Sequence, residues 1–241
     1  MAFNLGTVEF LVKEMLPRVA VRGRVLSLAR QKITCSPEEL AHRLESLGFT
    51  SGLEQIRAAA RVTTRDLFPA LGFDRYDDVD IFPEERGIRH DLNEPAPQRL
   101  RNRYDLVFEA GTIEHIFDVR MVFRNIIVML KKGGLVFHLS PLDLINHGFF
   151  TFSPTLFYDV YGSNGFAPPD FFLVMFPEKW WKIQEIHYEP LTFSMDLLRP
   201  APPKGFFPCL ACLARKEKET GAFRTPLQAF YGDRTGPRKE R

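Results

Sequence analysis

Residues 104–119 read YDLVFEAGTIEHIFDV. Tyr104–Phe108 is a mostly apolar run that reads as a buried strand. It delivers Glu109, Ala110 and Gly111 to the edge of a sheet, where Gly111 permits close approach of backbone to a ligand. Glu114 and His115 follow, and Asp118 stands where the next helix needs an N-cap. That helix, Val119–Leu130, gathers Val122, Phe123, Ile126, Ile127 and Leu130 on one face. KKGG at 131–134 closes it, a basic last turn with glycine behind. Leu135–Leu139 is the next strand, so strand, turn, helix and strand succeed one another as in a mostly parallel α/β sheet.

The pattern extends in both directions. Upstream, Leu5, Val8, Leu11, Val12, Met15 and Leu16 recur at helical spacing until Pro17 stops them. A strand at Arg24–Leu28 precedes Ser36-Pro37-Glu38-Glu39, a helix start with a Ser cap, Pro at the first position and Glu three residues on. Further helices are predicted within Leu53–Ala60 and Thr64–Leu71. Short apolar runs at Val79–Phe82 and Gly87–Asp91 read as strands. Downstream, 141–170 breaks the pattern and holds one helix, Pro154–Tyr161, with Ser153 as its cap. A segment of that length after a strand is expected to form a lid or substrate wall. Phe171–Phe176 and Cys209–Ala214 read as closing strands.

Composition sets the frame. The chain has 241 residues, 45% hydrophobic and 26% charged, as expected for one globular domain. Its 23 Phe are unusual and imply a thick core or an apolar pocket. From Arg215 to Arg241 there are eight Lys/Arg against four Asp/Glu, which gives that end +4 of a net +2 and leaves the remainder at −2. We therefore expect a domain over 1–214 and a basic, disordered tail over 215–241. No basic stripe interleaved with aromatics points to nucleic acid, and the N-terminal stretch is neither a signal peptide nor a membrane span. Cys35, Cys209 and Cys212 cannot build a disulfide framework. On a strand the two thiols of CLAC would face opposite ways, and no second ligand pair completes a zinc site. A cytoplasmic setting and no metal-ligating residues are the expectations.

In an open α/β sheet, ligands collect beyond the carboxyl ends of the strands. Two acids stand at successive strand ends, Asp80 and Asp91. Such a pair suits a ribosyl-adenine ligand, one carboxylate accepting ribose hydroxyls and the other the adenine amino group. His115 and His147 are the candidates for a general base, whereas His138 lies within an apolar strand and reads as a satisfied core residue.

The stretch from Tyr104 to Pro141, DLVFEAGTIEHI…VRMVFRNIIVMLKKGGLVFHLSP, resembles the second half of a class I S-adenosylmethionine-dependent methyltransferase. With HDLN at 90–93 and HGFFTFSPTLFYDVYGSNGF at 147–166, it is similar to a branch of small bacterial methyltransferase-like proteins. The resemblance covers roughly Arg24 to Phe166. It implies a Rossmann-like doubly wound sheet with an antiparallel closing strand, and methyl transfer from S-adenosylmethionine to a small-molecule acceptor. By position it implies Asp80 at the ribose, Asp91 and Leu92 at the adenine, and Glu109, Ala110 and Gly111 near the methionine part. The aromatic-rich lid suggests an apolar or planar acceptor.

One departure stands out. The family's first loop reads acidic-x-Gly-x-Gly, whereas this chain has Ser27-Leu28-Ala29-Arg30-Gln31 without glycine. The interval from Arg30 to Asp80 also far exceeds the roughly 20 residues of the dinucleotide-binding fingerprint. The loop is expected to survive if φ stays negative at Ala29, with Arg30 binding the cofactor's carboxylate and Gln31 lining the site. Two further readings stay open: a methyltransferase-like scaffold without turnover, and an NAD-dependent enzyme lacking its GxGxxG.

Overall fold

The structure is a computed structural model that describes residues 3–194 and 201–234. Asn4 opens the first helix by accepting the Thr7 N–H on its side chain at 3.0 Å. Helix α1 (Leu5–Phe10) runs on through a π turn at Leu11–Met15 and a 3-10 turn at Leu16–Arg18, where Pro17 ends it. Strand β1 (Arg24–Leu28) follows. Three helices then fill the long interval before the next strand: α2 (Pro37–Ser46), α3 (Leu53–Arg57) and α4 (Thr64–Ala70). Ser36 and Glu39 form the expected capping box on α2, and Thr63 with Asp66 forms another on α4.

Strands β2 (Arg75–Asp80), β3 (Ile88–Arg89) and β4 (Tyr104–Ala110) come next. Helix α5 (Val119–Met129), strand β5 (Leu130–Pro141) and helix α6 (Pro154–Ser163) follow. Strands β6 (Asp170–Pro177), β7 (His187–Leu191) and β8 (Phe206–Arg215) complete the sheet. Its order is β3-β2-β1-β4-β5-β8-β6-β7. The first five strands in that order run parallel, and β8 inserts antiparallel between β5 and β6. This is the doubly wound, Rossmann-like sheet with a reversed closing strand that the sequence predicts.

The sheet separates two apolar layers. Leu106 and Phe108 pack with Leu40 and Leu44 of α2 and Phe68 of α4, while Val107 packs with Phe123 of α5 and Phe157 of α6. Alternation along β8 sends Cys209 to the first layer and Cys212 to the second, as a strand requires of residues three apart. Both thiols are buried and pushed well above their ordinary pKa by loss of solvent. Many phenylalanines are core: Phe108 and Phe137 stack at 5.1 Å, and Phe10 meets Phe172 edge-on at 5.4 Å.

Four expectations need correction. The segment 131–134 is not the end of a helix. α5 stops at Met129, and the pairing register jumps from Tyr104↔Leu130 to Leu106↔Leu135, so KKGG is a bulge within β5. Strand β2 begins at Arg75 and ends at Asp80 rather than spanning 79–82. Edge strand β7 has no counterpart among the predicted elements. The chain also does not leave the fold at residue 214. Lys216 is 2% exposed, its ammonium donating to the Ile127 and Leu130 carbonyls at 3.0 and 2.9 Å. The Arg224 N–H donates to Asn164, and the Ala229 N–H donates to Asp159 of α6. The remainder of the expected tail, 235–241, lies outside the described residues. Among the described residues no helix is long and apolar enough to cross a membrane.

Candidate functional site

The carboxyl ends of β1, β2, β3 and β4 surround a cavity of about 610 Å³. It lies where the strand order reverses, between β1 and β4, the position at which such sheets bind ligands. Ala29, Arg30, Gln31, Asp80, Asp91, Leu92 and Gly111 all border it, as does His115. So do Lys32 and Thr112, which the sequence reading does not select.

Ala29 is the first surprise. Its φ is +60°, the left-handed region that favours glycine, and not the negative value the sequence reading requires. Two contacts hold it there. Its N–H donates to the Val79 carbonyl at 2.8 Å, and its own carbonyl accepts from the Ser27 hydroxyl at 2.6 Å. The chain thus keeps the backbone path of a glycine turn without the glycine, at a cost of roughly 1–2 kcal/mol for the Cβ. Ala29→Gly is therefore expected to stabilise the fold by about 0.5–1 kcal/mol, the relieved strain being partly offset by the entropy of an added glycine. Urea unfolding measures it, and a less stable variant would show that the turn tolerates the methyl without strain.

Arg30 corrects a second expectation. Its side chain is 9% exposed and faces Asp78, which is 1% exposed. The guanidinium donates to Asp78 at 2.9 and 3.1 Å, to Glu84 at 3.1 Å and to the Glu85 carbonyl at 2.7 Å. Its donors are committed to the protein's own acceptors, so it is not poised to receive a ligand carboxylate. Lys32, exposed on the same cavity, makes no side-chain hydrogen bond or ion pair among the described residues. Gln31 is buried. Its amide donates to Thr112 at 3.2 Å, and Thr112 in turn donates to the Leu28 carbonyl at 2.9 Å, tying the ends of β1 and β4 together.

The two acids share a cavity. Asp80 and Asp91 come from successive strand ends and border one cavity. One oxygen of each is used locally: Asp80 Oδ1 accepts the Phe82 N–H, and Asp91 Oδ1 accepts from the Asn93 N–H and side-chain amide. Glu109 and Ala110 do not reach the cavity; they are 0% and 1% exposed beneath it. Glu109 instead accepts the Thr112 and Ile113 N–H groups at 2.7 and 3.3 Å, fixing the turn after β4. Its other oxygen meets His138 Nδ1 at 2.9 Å, and His138 Nε2 meets the Tyr161 hydroxyl at 2.5 Å. His138 is a satisfied core residue. Asp118 caps α5 through the Met121 N–H, as expected.

Next to His115, Glu114 is wholly buried, and among the described residues neither of its carboxylate oxygens has a hydrogen-bond partner. Burial, reinforced by the nearby Glu109 carboxylate, pushes its pKa up to about 7. His147 Nε2 lies 3.4 Å from Glu114 Oε1, and His115 Nε2 lies 3.9 Å from the same atom. The two imidazole rings meet edge-on at 4.9 Å. Partial burial lowers both histidines below the ordinary imidazole value, with the His147 charge adding to the effect at His115. Beside them, Phe117 and Phe149 are 73% and 64% exposed and touch each other at 5.6 Å. The sequence reading selects both histidines, but it gives Glu114 no role and assigns no metal ligands. Their convergence was hidden because Gly148 brings residues 147–149 against Glu114 from across the sheet edge.

No protein-family model and no curated protein matches the chain. Solved structures of low similarity include the CMeT domain of the citrinin polyketide synthase, at 11% identity and a TM-score of 0.49. That match covers 89% of this chain and 52% of the other, so the chain spans about half its length. Another is the 1,6-didemethyltoxoflavin-N1-methyltransferase of Burkholderia thailandensis, solved with 1,6-didemethyltoxoflavin and S-adenosylhomocysteine. It is 13% identical over 89% of this chain and 78% of that one, with a TM-score of 0.46. The N-methyltransferase NodS of Bradyrhizobium japonicum, in complex with S-adenosylhomocysteine, is 12% identical over 85% of both chains at a TM-score of 0.42.

Proposed function

We propose that the chain binds S-adenosylmethionine and transfers its methyl group to a small-molecule acceptor. The observation that carries this reading is the pairing of Asp80 and Asp91, from successive strand ends, on one cavity with the β1 turn and Gly111. Asp80 retains an oxygen for the ribose hydroxyls, and Asp91 with Leu92 suits the adenine end. Gly111 and Thr112 border the methionine end. Lys32, an exposed residue that borders the cavity, takes the place of Arg30 as the cation for the carboxylate.

The cofactor supplies an electrophilic methyl group, and the chain's part is to hold the acceptor in line with it. The exposed rings of Phe117 and Phe149 favour an apolar or planar acceptor. His115 borders the cavity and His147 lies against His115, each with an imidazole lone pair that can accept a proton or bind a cation.

Calorimetric titration with S-adenosylmethionine and S-adenosylhomocysteine tests the reading. Asp80→Asn and Asp91→Ala are each expected to weaken binding by about 1–3 kcal/mol, and Lys32→Ala by about 1 kcal/mol because its ammonium is solvated. Absence of binding by the wild type at millimolar ligand would overturn the reading and favour the scaffold alternative.

A further inference from the structure

Glu114 poses a problem of charge. A buried carboxylate without hydrogen bonds is costly unless a cation or donor compensates it. Two imidazole nitrogens approach the same oxygen, and the three candidate donor atoms all lie within 4.8 Å of one another. A four-coordinate ion with bonds near 2.1 Å holds its ligand atoms roughly 3.4 Å apart. The two separations from Glu114, 3.4 and 3.9 Å, lie near that spacing, and the two imidazole nitrogens, within 4.8 Å of each other, close to it by turning their rings inward.

We propose that Glu114, His115 and His147 form a binding site for a divalent transition-metal ion. Two imidazoles and one carboxylate suit Zn²⁺, Co²⁺ and neighbouring ions, and disfavour Mg²⁺ and Ca²⁺, which prefer all-oxygen shells. Three protein ligands leave at least one position for solvent or another ligand, as in catalytic rather than closed structural sites. His115 borders the cavity, so the site lies beside it.

The backbone is built to hold this arrangement. The Phe149 N–H donates to the Glu114 carbonyl at 2.7 Å, and a Cβ on Gly148 would lie 2.6 Å from the same oxygen. Only glycine lets the loop after β5 lie so close to the turn after β4, and that contact sets His147 over the carboxylate. Glu109 fixes the other half by accepting the N–H groups of Thr112 and Ile113 immediately before Glu114. The site stands whether or not the cavity takes S-adenosylmethionine, because its ligands are separate from Asp80 and Asp91.

Cobalt titration of the chelator-treated full chain tests the inference, with Co²⁺ as the optical probe and Zn²⁺ as competitor. One Co²⁺ per chain should bind, with the intense visible absorption of a four- or five-coordinate ion, and Zn²⁺ should displace it. His147→Ala and Glu114→Gln should each weaken binding by at least the roughly 10–100-fold that outer-shell partners of metals are worth. His42→Ala, on the exposed surface of α2, should leave it unchanged. Zn²⁺ should also raise the melting temperature of the wild type but not of His147→Ala, since a ligand stabilises only the state that binds it. If His147→Ala fails to fold, His115→Ala makes the same comparison. Weak six-coordinate cobalt absorption, or affinity insensitive to His147 and His115, would overturn the site.

Discussion

Glu109→Ala is expected to lower the unfolding free energy by about 3–5 kcal/mol, the cost of breaking a buried, hydrogen-bonded charged network. The residue sits at 0% exposure and serves three donors. Burial pushes the Tyr161 hydroxyl well above its ordinary pKa, so it remains an O–H donor. The hydrogen-bond pattern then assigns the tautomer: Tyr161 donates to His138 Nε2, and His138 Nδ1–H donates to Glu109. Truncation leaves the Thr112 and Ile113 N–H groups and the imidazole without an acceptor, besides opening a cavity. Glu109→Gln is isosteric and still offers one oxygen, but its amide confronts His138 Nδ1 with a donor. The ring must switch tautomer, and the expected cost is about 1–2 kcal/mol. Urea unfolding gives both values, and nitrogen NMR shifts of the His138 ring report the switch. A Glu109→Gln variant as stable as the wild type beside a full loss in Glu109→Ala would mean that packing, not the hydrogen-bond chain, sets the cost.

The fold was legible where local rules and the global arrangement agree. Ser36-Pro37-Glu38-Glu39, the Asp118 cap, the alternation of CLAC and the strand at 104–108 each state their structure within a few residues. The bulge at KKGG was misread because Lys-Lys-Gly-Gly is also a good helix stop. Only pairing with β4 and β8 shows that the strand has already begun at Leu130. Strand β7 escaped because HYEPL is short, half-exposed and carries a proline, as edge strands do.

The site divided along the same line. Asp80, Asp91 and Gly111 were legible because strand ends are a fixed place in such sheets. The positive φ of Ala29 was not, since an alanine gives no sign that its neighbours will force it there. Glu114 was passed over because its partner His147 is thirty-three positions away, and the contact depends on the missing side chain of Gly148.

The role of Arg30 is hidden in the sequence for a related reason: its partner Asp78 lies on the neighbouring strand. Arg30→Ala is expected to destabilise the fold by about 2–4 kcal/mol, because it strips a buried carboxylate of its main counter-ion. The loss falls short of full exposure of that charge, since Arg65 still donates to Asp78 Oδ1 at 2.8 Å. Arg30→Lys should recover little. One ammonium cannot reproduce a guanidinium that bonds Asp78, Glu84 and the Glu85 carbonyl together, and those bonds fold the 81–87 turn against the cavity. Asp78→Asn on the Arg30→Ala background should be nearly free of further cost, giving a coupling energy on the order of 1–3 kcal/mol in a double-mutant cycle. Thermal and urea unfolding of the four proteins close that cycle. If the effects add without coupling while ligand affinity alone collapses in Arg30→Ala, the guanidinium belongs to the ligand and Lys32 does not replace it.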